Sequence, residues 1–169
     1  AGVEVVCADL NKEAVADVVA NGGKEASYAE IGAECPVIIT MVPSGDIVKS
    51  ILFGEGGVAS TIKEGTLVGD MSSVTPVESQ YCYEKLKEKG VGFVDAPVSG
   101  GEPGAVAGSL AIMCGGDQKD FDAMKPLFDI LGNSALLIGP SGSGSTAKLA
   151  NQMIVNNTIA VVSEAFVFA

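Results

Sequence analysis

Pro36-Val-Ile-Ile-Thr-Met-Val-Pro43 narrows the choice of fold more than any other stretch. Its residues are apolar on both faces of an extended chain, so a strand built from them must be covered above and below. Strands of that kind belong to mostly parallel sheets with helices packed on each side. The chain around it follows suit. Val3 to Ala8 is a short apolar run, and Asn11 is placed to cap a helix through Ala20 that Asn21-Gly22-Gly23 stops. Ala29 to Glu34 and Asp46 to Leu52 read as helices on either side of the Pro36–Pro43 strand. Thr66 to Asp70 is the next strand. Thr75 then opens a helix through Lys89, with Pro76 at its first position and Glu78 completing a capping box. Val91 to Asp95, Ser109 to Cys114 and Ala135 to Ile138 are further strands. Gly115-Gly116 reads as a turn, and Asp117 as the cap of a helix through Leu131. The expectation is an α/β protein with a doubly wound, mostly parallel sheet.

The last strand feeds the turn Gly139-Pro-Ser-Gly-Ser-Gly144, after which about 25 residues contain neither Gly nor Pro. That reads as one long helix, the start of an all-α domain, with the sheet domain at residues 1–140 and the helix at 141–169. Two glycine motifs overlap in the turn. Gly139 and Gly144 have the spacing of a P-loop, but Ser145 stands where its lysine belongs. Gly142, Gly144 and Ala147 satisfy the dinucleotide pattern G-x-G-x-x-A, with Glu164 at 20 positions after Gly144, yet no second strand precedes that acid. A structural turn that positions the helix is the favoured reading. On the helix, Lys148, Asn151 and Gln152 stand at i, i+3 and i+4 and share one face. A cation and two carboxamides on an otherwise apolar helix are costly unless they face a polar ligand or each other.

Composition removes several classes of function. The net charge of -11 disfavours nucleic acid and anionic membrane surfaces as partners. No stretch of 18 uninterrupted apolar residues offers a membrane span. The chain has no histidine, and its four cysteines are scattered, so neither a zinc site nor a histidine-based triad is expected. Reduced thiols and a cytoplasmic location are the simpler account.

In a doubly wound sheet, ligands bind outside the carboxyl ends of the strands. Asp9, the turn at Met41, Val42 and Pro43, the pair Ser72-Ser73 with Thr75, and the stretch after Asp95 all fall at such ends. An acid in the position of Asp9 holds adenosine ribose hydroxyls in dinucleotide folds, although an Asp near a helix start is more often a cap. Ser99-Gly100-Gly101 can aim several backbone N–H groups at one carboxylate, or be only a flexible loop.

Three segments together resemble the β-hydroxyacid dehydrogenases, the 3-hydroxyisobutyrate dehydrogenase-like family, along the whole chain. Asp95-Ala-Pro-Val-Ser-Gly-Gly101, with Gly104, Ala105, Gly108 and Gly115-Gly116, is similar to that family's substrate-binding signature. Gly142-x-Gly144-x-x-x-Lys148-x-x-Asn151 is similar to its catalytic helix, and Asp70-Met-Ser-Ser73 with Thr75-Pro76 to its cofactor-side loop. The resemblance implies a Rossmann-type domain with NAD at Asp9, Met41, Val42, Pro43, Ser73 and Thr75. Asp9 favours NAD over NADP, because a 2′-phosphate would meet a carboxylate, although Lys12 is nearby. It implies a small carboxylate substrate held by Ser99, Gly100, Gly101, Asn151 and Gln152, with Lys148 as catalytic acid–base and no metal. Some members of the family carry Asn where Gln152 stands here. The resemblance further implies a fragment lacking the first strand with its glycine-rich turn and most of the helical domain, and a homo-oligomer at full length. The rival from another class is a non-catalytic module that binds a carboxylate or a nucleotide.

Overall fold

The first turns of the first four helices are closed by side chains that accept the N–H groups a helix start leaves unpaired. In the computed structural model, which describes residues 2–169, the strand β1 (Val6–Cys7) leads to helix α1 (Lys12–Ala20). Asn11 caps α1 by accepting from the N–H groups of Glu13 and Ala14. After β2 (Lys24–Glu25), α2 (Tyr28–Glu34) begins with a reciprocal capping box between Ser27 and Glu30. The strand β3 (Val37–Thr40) is followed by α3 (Gly45–Phe53), capped by Ser44, and a 3₁₀ turn at Val58–Ser60. Then come β4 (Leu67–Asp70) and α4 (Pro76–Lys87), where Thr75 and Glu78 form the expected capping box behind Pro76. The chain continues through β5 (Gly92–Asp95), β6 (Val98–Ser99), α5 (Gly101–Val106), β7 (Leu110–Gly116), α6 (Gln118–Leu131), β8 (Gly132–Gly139) and α7 (Ser143–Phe168).

The main sheet is mixed. β3, β4 and β5 are parallel, with Thr40, Asp70 and Asp95 side by side at their ends. β7 runs antiparallel to β5, and β8 runs parallel to β7. β6 continues the line of β5. Val94 pairs with Gly116, Asp95 with Gly115, Val98 with Ile112 and Ser99 with Ala111, and the Met113 N–H donates to the Pro97 carbonyl at 2.9 Å between them. β5 and β6 therefore lie along β7 in one continuous register, with a ladder bond missing where Pro97 has no N–H to give. β1 and β2 form a separate parallel pair.

Both faces of the main sheet are covered, as the apolar strands require. Phe93 packs with Ile38, Val48, Leu52, Val68 and Leu86 on one side. Its neighbour Val94 packs with Ile112, Cys114, Met124 and Phe128 on the other.

The structure corrects four expectations. Gly115-Gly116 is not a turn but the end of β7, where Gly115 pairs with Asp95. Only Val6 and Cys7 of the Val3–Ala8 run form ladder pairs, both with β2. Asp117 occupies the start of α6 without a side-chain cap bond, and its carboxylate accepts the Tyr83 hydroxyl at 3.1 Å instead. β8 starts at Gly132, earlier than Ala135, because the longer β7 offers it a partner. Among the described residues no helix is long and apolar enough to cross a membrane, and no group of acids and cysteines is arranged to hold a metal ion.

Candidate functional site

One transverse row of the sheet organises the predicted residues. Thr40, Asp70, Asp95, Gly115 and Gly139 follow one another in register across β3, β4, β5, β7 and β8. The turns Met41–Ser44, Met71–Val74 and the β5–β6 junction leave the sheet at this level, and the turn into α7 begins there.

The first two turns are tied together by a buried carboxylate. Asp70 Oδ1 accepts the Thr40 hydroxyl at 2.8 Å and the Ser72 N–H at 3.0 Å, while Ser72 Oγ accepts the Val42 N–H at 2.9 Å. Burial pushes the Asp70 carboxyl above the usual carboxylate range, against the pull of the Ser72 and Thr40 hydrogen bonds. This network leaves Met41, Pro43 and Ser73 exposed and Val42 half-buried at the sheet edge. The Thr75 hydroxyl is committed to the capping box of α4. Glu78, from the same box, also reaches Lys49 of α3 at 3.4 Å.

Asp9 follows β1 and is exposed. It does not cap α1 itself; its Oδ1 accepts the N–H of the capping residue Asn11 at 2.7 Å, fixing the turn. The carboxylate borders a depression of about 600 Å³ shared with Ala8, Leu10, Ser27, Tyr28 and Gly56. Lys12, the nearby cation, lies 2.7 Å from Glu25. A hydroxyl-bearing ribose suits this surface, which offers carboxylate acceptors, while a 2′-phosphate would find its one nearby cation already paired.

The turn into α7 is built around close approach. Gly142 adopts φ 91, open to glycine at little cost. A Cβ on Gly144 would collide with the Met113 carbonyl oxygen and stand 2.7 Å from that of Asp95. Here the G-x-G-x-x-A motif serves helix–sheet contact. Asp95 is fully buried, and its carboxylate accepts the N–H groups of Gly142 at 2.7 Å and Ser145 at 2.9 Å. The buried hydroxyls of Ser79 and Ser145 are 2.9 Å apart, and Gln80 donates to the Ser141 carbonyl at 3.3 Å.

Beyond this anchor Lys148, Asn151 and Gln152 are all half-buried, continuing the inward face begun by Gly144 and Ser145. The Asn151 amide donates to the Gln152 side-chain carbonyl at 3.3 Å. Lys148 has no carboxylate in ion-pair range among the described residues, and burial alone draws its ammonium below the usual lysine range. Ser99 is half-buried at the end of β6. Gly100 and Gly101 follow at φ 139 and φ 61, exposed at the start of α5. No hydrogen bond joins them to Lys148 among the described residues. The path of the helix relates the two groups, since Gly139 is level with Gly115, Gly144 lies against Met113, and Ala111 pairs with Ser99. The start of α7 therefore advances along β7 from the level of Asp95 toward that of Ser99.

Sequence reading did not single out Ser79 or the capping role of Asp95. A buried serine inside a helix leaves no pattern, whereas an acid ending an apolar strand is a visible signal. The four cysteines are free, and burial pushes Cys82 and Cys114 up to about 12, keeping both as inert thiols.

The fold and this row of turns define a dinucleotide-binding α/β domain. Residues 1–139 match the model of the NAD-binding domain of 6-phosphogluconate dehydrogenase. The chain belongs to that family. It is 46% identical over 133 residues to the 2-hydroxy-3-oxopropionate reductase of Escherichia coli (strain K12), covering 79% of this chain and 46% of that one. It is 37% identical over 167 residues to the 2-(hydroxymethyl)glutarate dehydrogenase of Eubacterium barkeri, covering 98% and 56%. The solved structure of Mycobacterium tuberculosis 3-hydroxyisobutyrate dehydrogenase with L-serine superposes with a TM-score of 0.92 at 31% identity, covering 99% of this chain and 57% of that one. The chain thus spans about half the length of the curated relatives it matches.

Proposed function

We propose that the full-length protein carrying this sequence is an NAD-dependent reductase of tartronate semialdehyde (2-hydroxy-3-oxopropionate), giving glycerate. Residues 1–140 form the cofactor domain, and 141–169 open a helical domain. The observation that carries the reading is Lys148: a lysine without a carboxylate partner, half-buried beside two carboxamides, on a helix seated against an NAD-binding sheet. The reduced dinucleotide supplies the hydride. Asp9 accepts hydrogen bonds from the adenosine ribose, and Met41, Val42, Pro43, Ser73 and the backbone near Thr75 line its path along the strand ends. Ser99, Gly100 and Gly101 hold the substrate carboxylate through a hydroxyl and backbone N–H groups. Asn151 and Gln152 orient the substrate hydroxyl and carbonyl. Lys148 gives its proton to the carbonyl oxygen as the aldehyde carbon is reduced, becoming a neutral amine that solvent reprotonates.

The 46% identity to the E. coli reductase supports this substrate, as does the adjacent pair Asn151-Gln152. A 3-hydroxyisobutyrate dehydrogenase is the second reading, favoured by the superposition on the mycobacterial enzyme. NADH oxidation by the full-length protein, with tartronate semialdehyde beside methylmalonate semialdehyde, separates them. Preference for the first supports the reductase and preference for the second the dehydrogenase. Turnover of neither sinks both and favours a binding module. An oligomer built on the helical part accords with the apolar surface of α7, where Ile154, Ile159 and Phe166 are exposed.

Asp9→Ala gives a separate check on the cofactor. Removing the carboxylate is expected to lower kcat/KM with NADH and to improve the NADPH-to-NADH ratio roughly tenfold or more, as like-charge juxtapositions are costly. An unchanged ratio would place the selectivity elsewhere.

A further inference from the structure

We infer that Asp95 is a positioning residue for Lys148: from the end of β5 its carboxylate caps the first turn of α7 and so sets the lysine's place. The inference rests on the reading of Lys148 as acid–base. α7 has no side-chain cap of its own, because glycine occupies its capping position. The cap comes from a strand 47 residues earlier in the chain, one oxygen accepting the Gly142 N–H and the other the Ser145 N–H. An anion at a helix start is favoured by the dipole of the aligned peptides as well as by the hydrogen bonds.

The surroundings are shaped for this contact. A Cβ on Gly115 would stand 2.8 Å from both Asp95 carboxylate oxygens, and one on Gly144 would be 2.9 Å from Oδ2. Glycine at both positions is what lets the carboxylate reach the helix. Lys148 follows Ser145 by three residues, about one turn, so a shift at the cap carries directly to the amine. The Ser79–Ser145 hydroxyl pair is a second, weaker anchor from α4. Burial pushes the Asp95 carboxyl up, and the N–H groups of Gly142, Ser145 and Gly144 oppose it. The carboxylate is thus held by the helix as the helix is held by it.

The test uses Asp95→Asn in the full-length protein. The amide keeps the shape but turns a donor toward one of the two N–H groups and removes the charge. Amide hydrogen exchange at Gly142 and Ser145 should quicken roughly tenfold, the usual scale of a lost helix cap. Turnover should fall roughly ten- to a hundredfold while the KM for NADH stays within about twofold, since displacement of a reacting group is paid in rate. The pH limb reporting Lys148 should move up toward an ordinary lysine as the loosened helix admits water. Parental exchange and turnover would overturn the inference. So would a rate loss with the pH limb in place and NADH binding weakened in proportion, the mark of general damage. Should Asp95→Asn fail to fold, Gly115→Ala decides, since its Cβ would crowd both Asp95 carboxylate oxygens away from the helix: the same signature at smaller amplitude supports the inference, and parental kinetics with a parental limb overturn it. If instead Lys148→Ala keeps parental turnover, the acid–base reading falls and this inference with it, while quickened exchange in Asp95→Asn would still report the cap alone.

Discussion

Lys148→Ala in the full-length protein is expected to lower kcat for aldehyde reduction by roughly two to four orders of magnitude, the contribution of a positioned general acid. In free energy that is about 3 to 5 kcal/mol of transition-state stabilisation. The KM for NADH should hardly change, because the proposed cofactor contacts lie at Asp9 and the turns after β3 and β4. The pH dependence carries the sign. Burial lowers the Lys148 pKa from its usual value, so the ammonium needed for reduction is lost as pH rises through a point below the ordinary lysine range. Reduction should therefore fall on that limb, and alcohol oxidation, which needs the neutral amine, should rise on it. The same shift bears on folding. Between the two pKa values the unfolded chain binds more protons, so stability rises with pH there and is lost as pH falls through the folded value. Lys148→Arg, which stays protonated, should abolish the rise in oxidation. A variant with parental kcat would leave Lys148 as a ligand contact and bring the binding module forward.

Much of the fold was legible because apolar strands covered on both faces and side-chain helix caps are local signals. Asn11 and Thr75 stand at the starts of their helices, and Thr75 and Glu78 close the predicted box. The reversal at β7 was not legible. Leu110 to Gly116 is as apolar as a parallel strand, and its direction is set by the short α5 connection and by its pairing along β5 and β6. β2 and β6 are two residues each, too short to show a period. The shared face of Lys148, Asn151 and Gln152 followed from helical spacing alone, and all three are half-buried in the structure. What holds that face in place did not follow, because Asp95, Ser79 and Gly142 are far apart in sequence and meet only when the sheet is assembled.

Phe93→Ala is expected to destabilise the protein by about 3 to 5 kcal/mol, the usual cost of deleting a fully buried aromatic ring. Phe93 is 0% exposed in the middle of the main sheet, packed among Val68 of β4, Val48 and Leu52 of α3, and Cys82 and Leu86 of α4. Those elements are tied by backbone ladders and caps, so they cannot close fully over the space the ring leaves. Equilibrium denaturation should show a lower midpoint with an unchanged slope. Val77→Ala, at a 73% exposed position on α4, should stay within about 0.5 kcal/mol of the parent. Equal midpoints for the two variants would mean that this face of the sheet is not the core. The consequence extends to the site. Phe93 and Asp95 are two apart on one strand and share a face, and α4, which packs on that ring, also carries Ser79 and Gln80. The ring thus underlies both anchors of the turn into α7, so its loss should loosen the seat of Lys148 as well as the core.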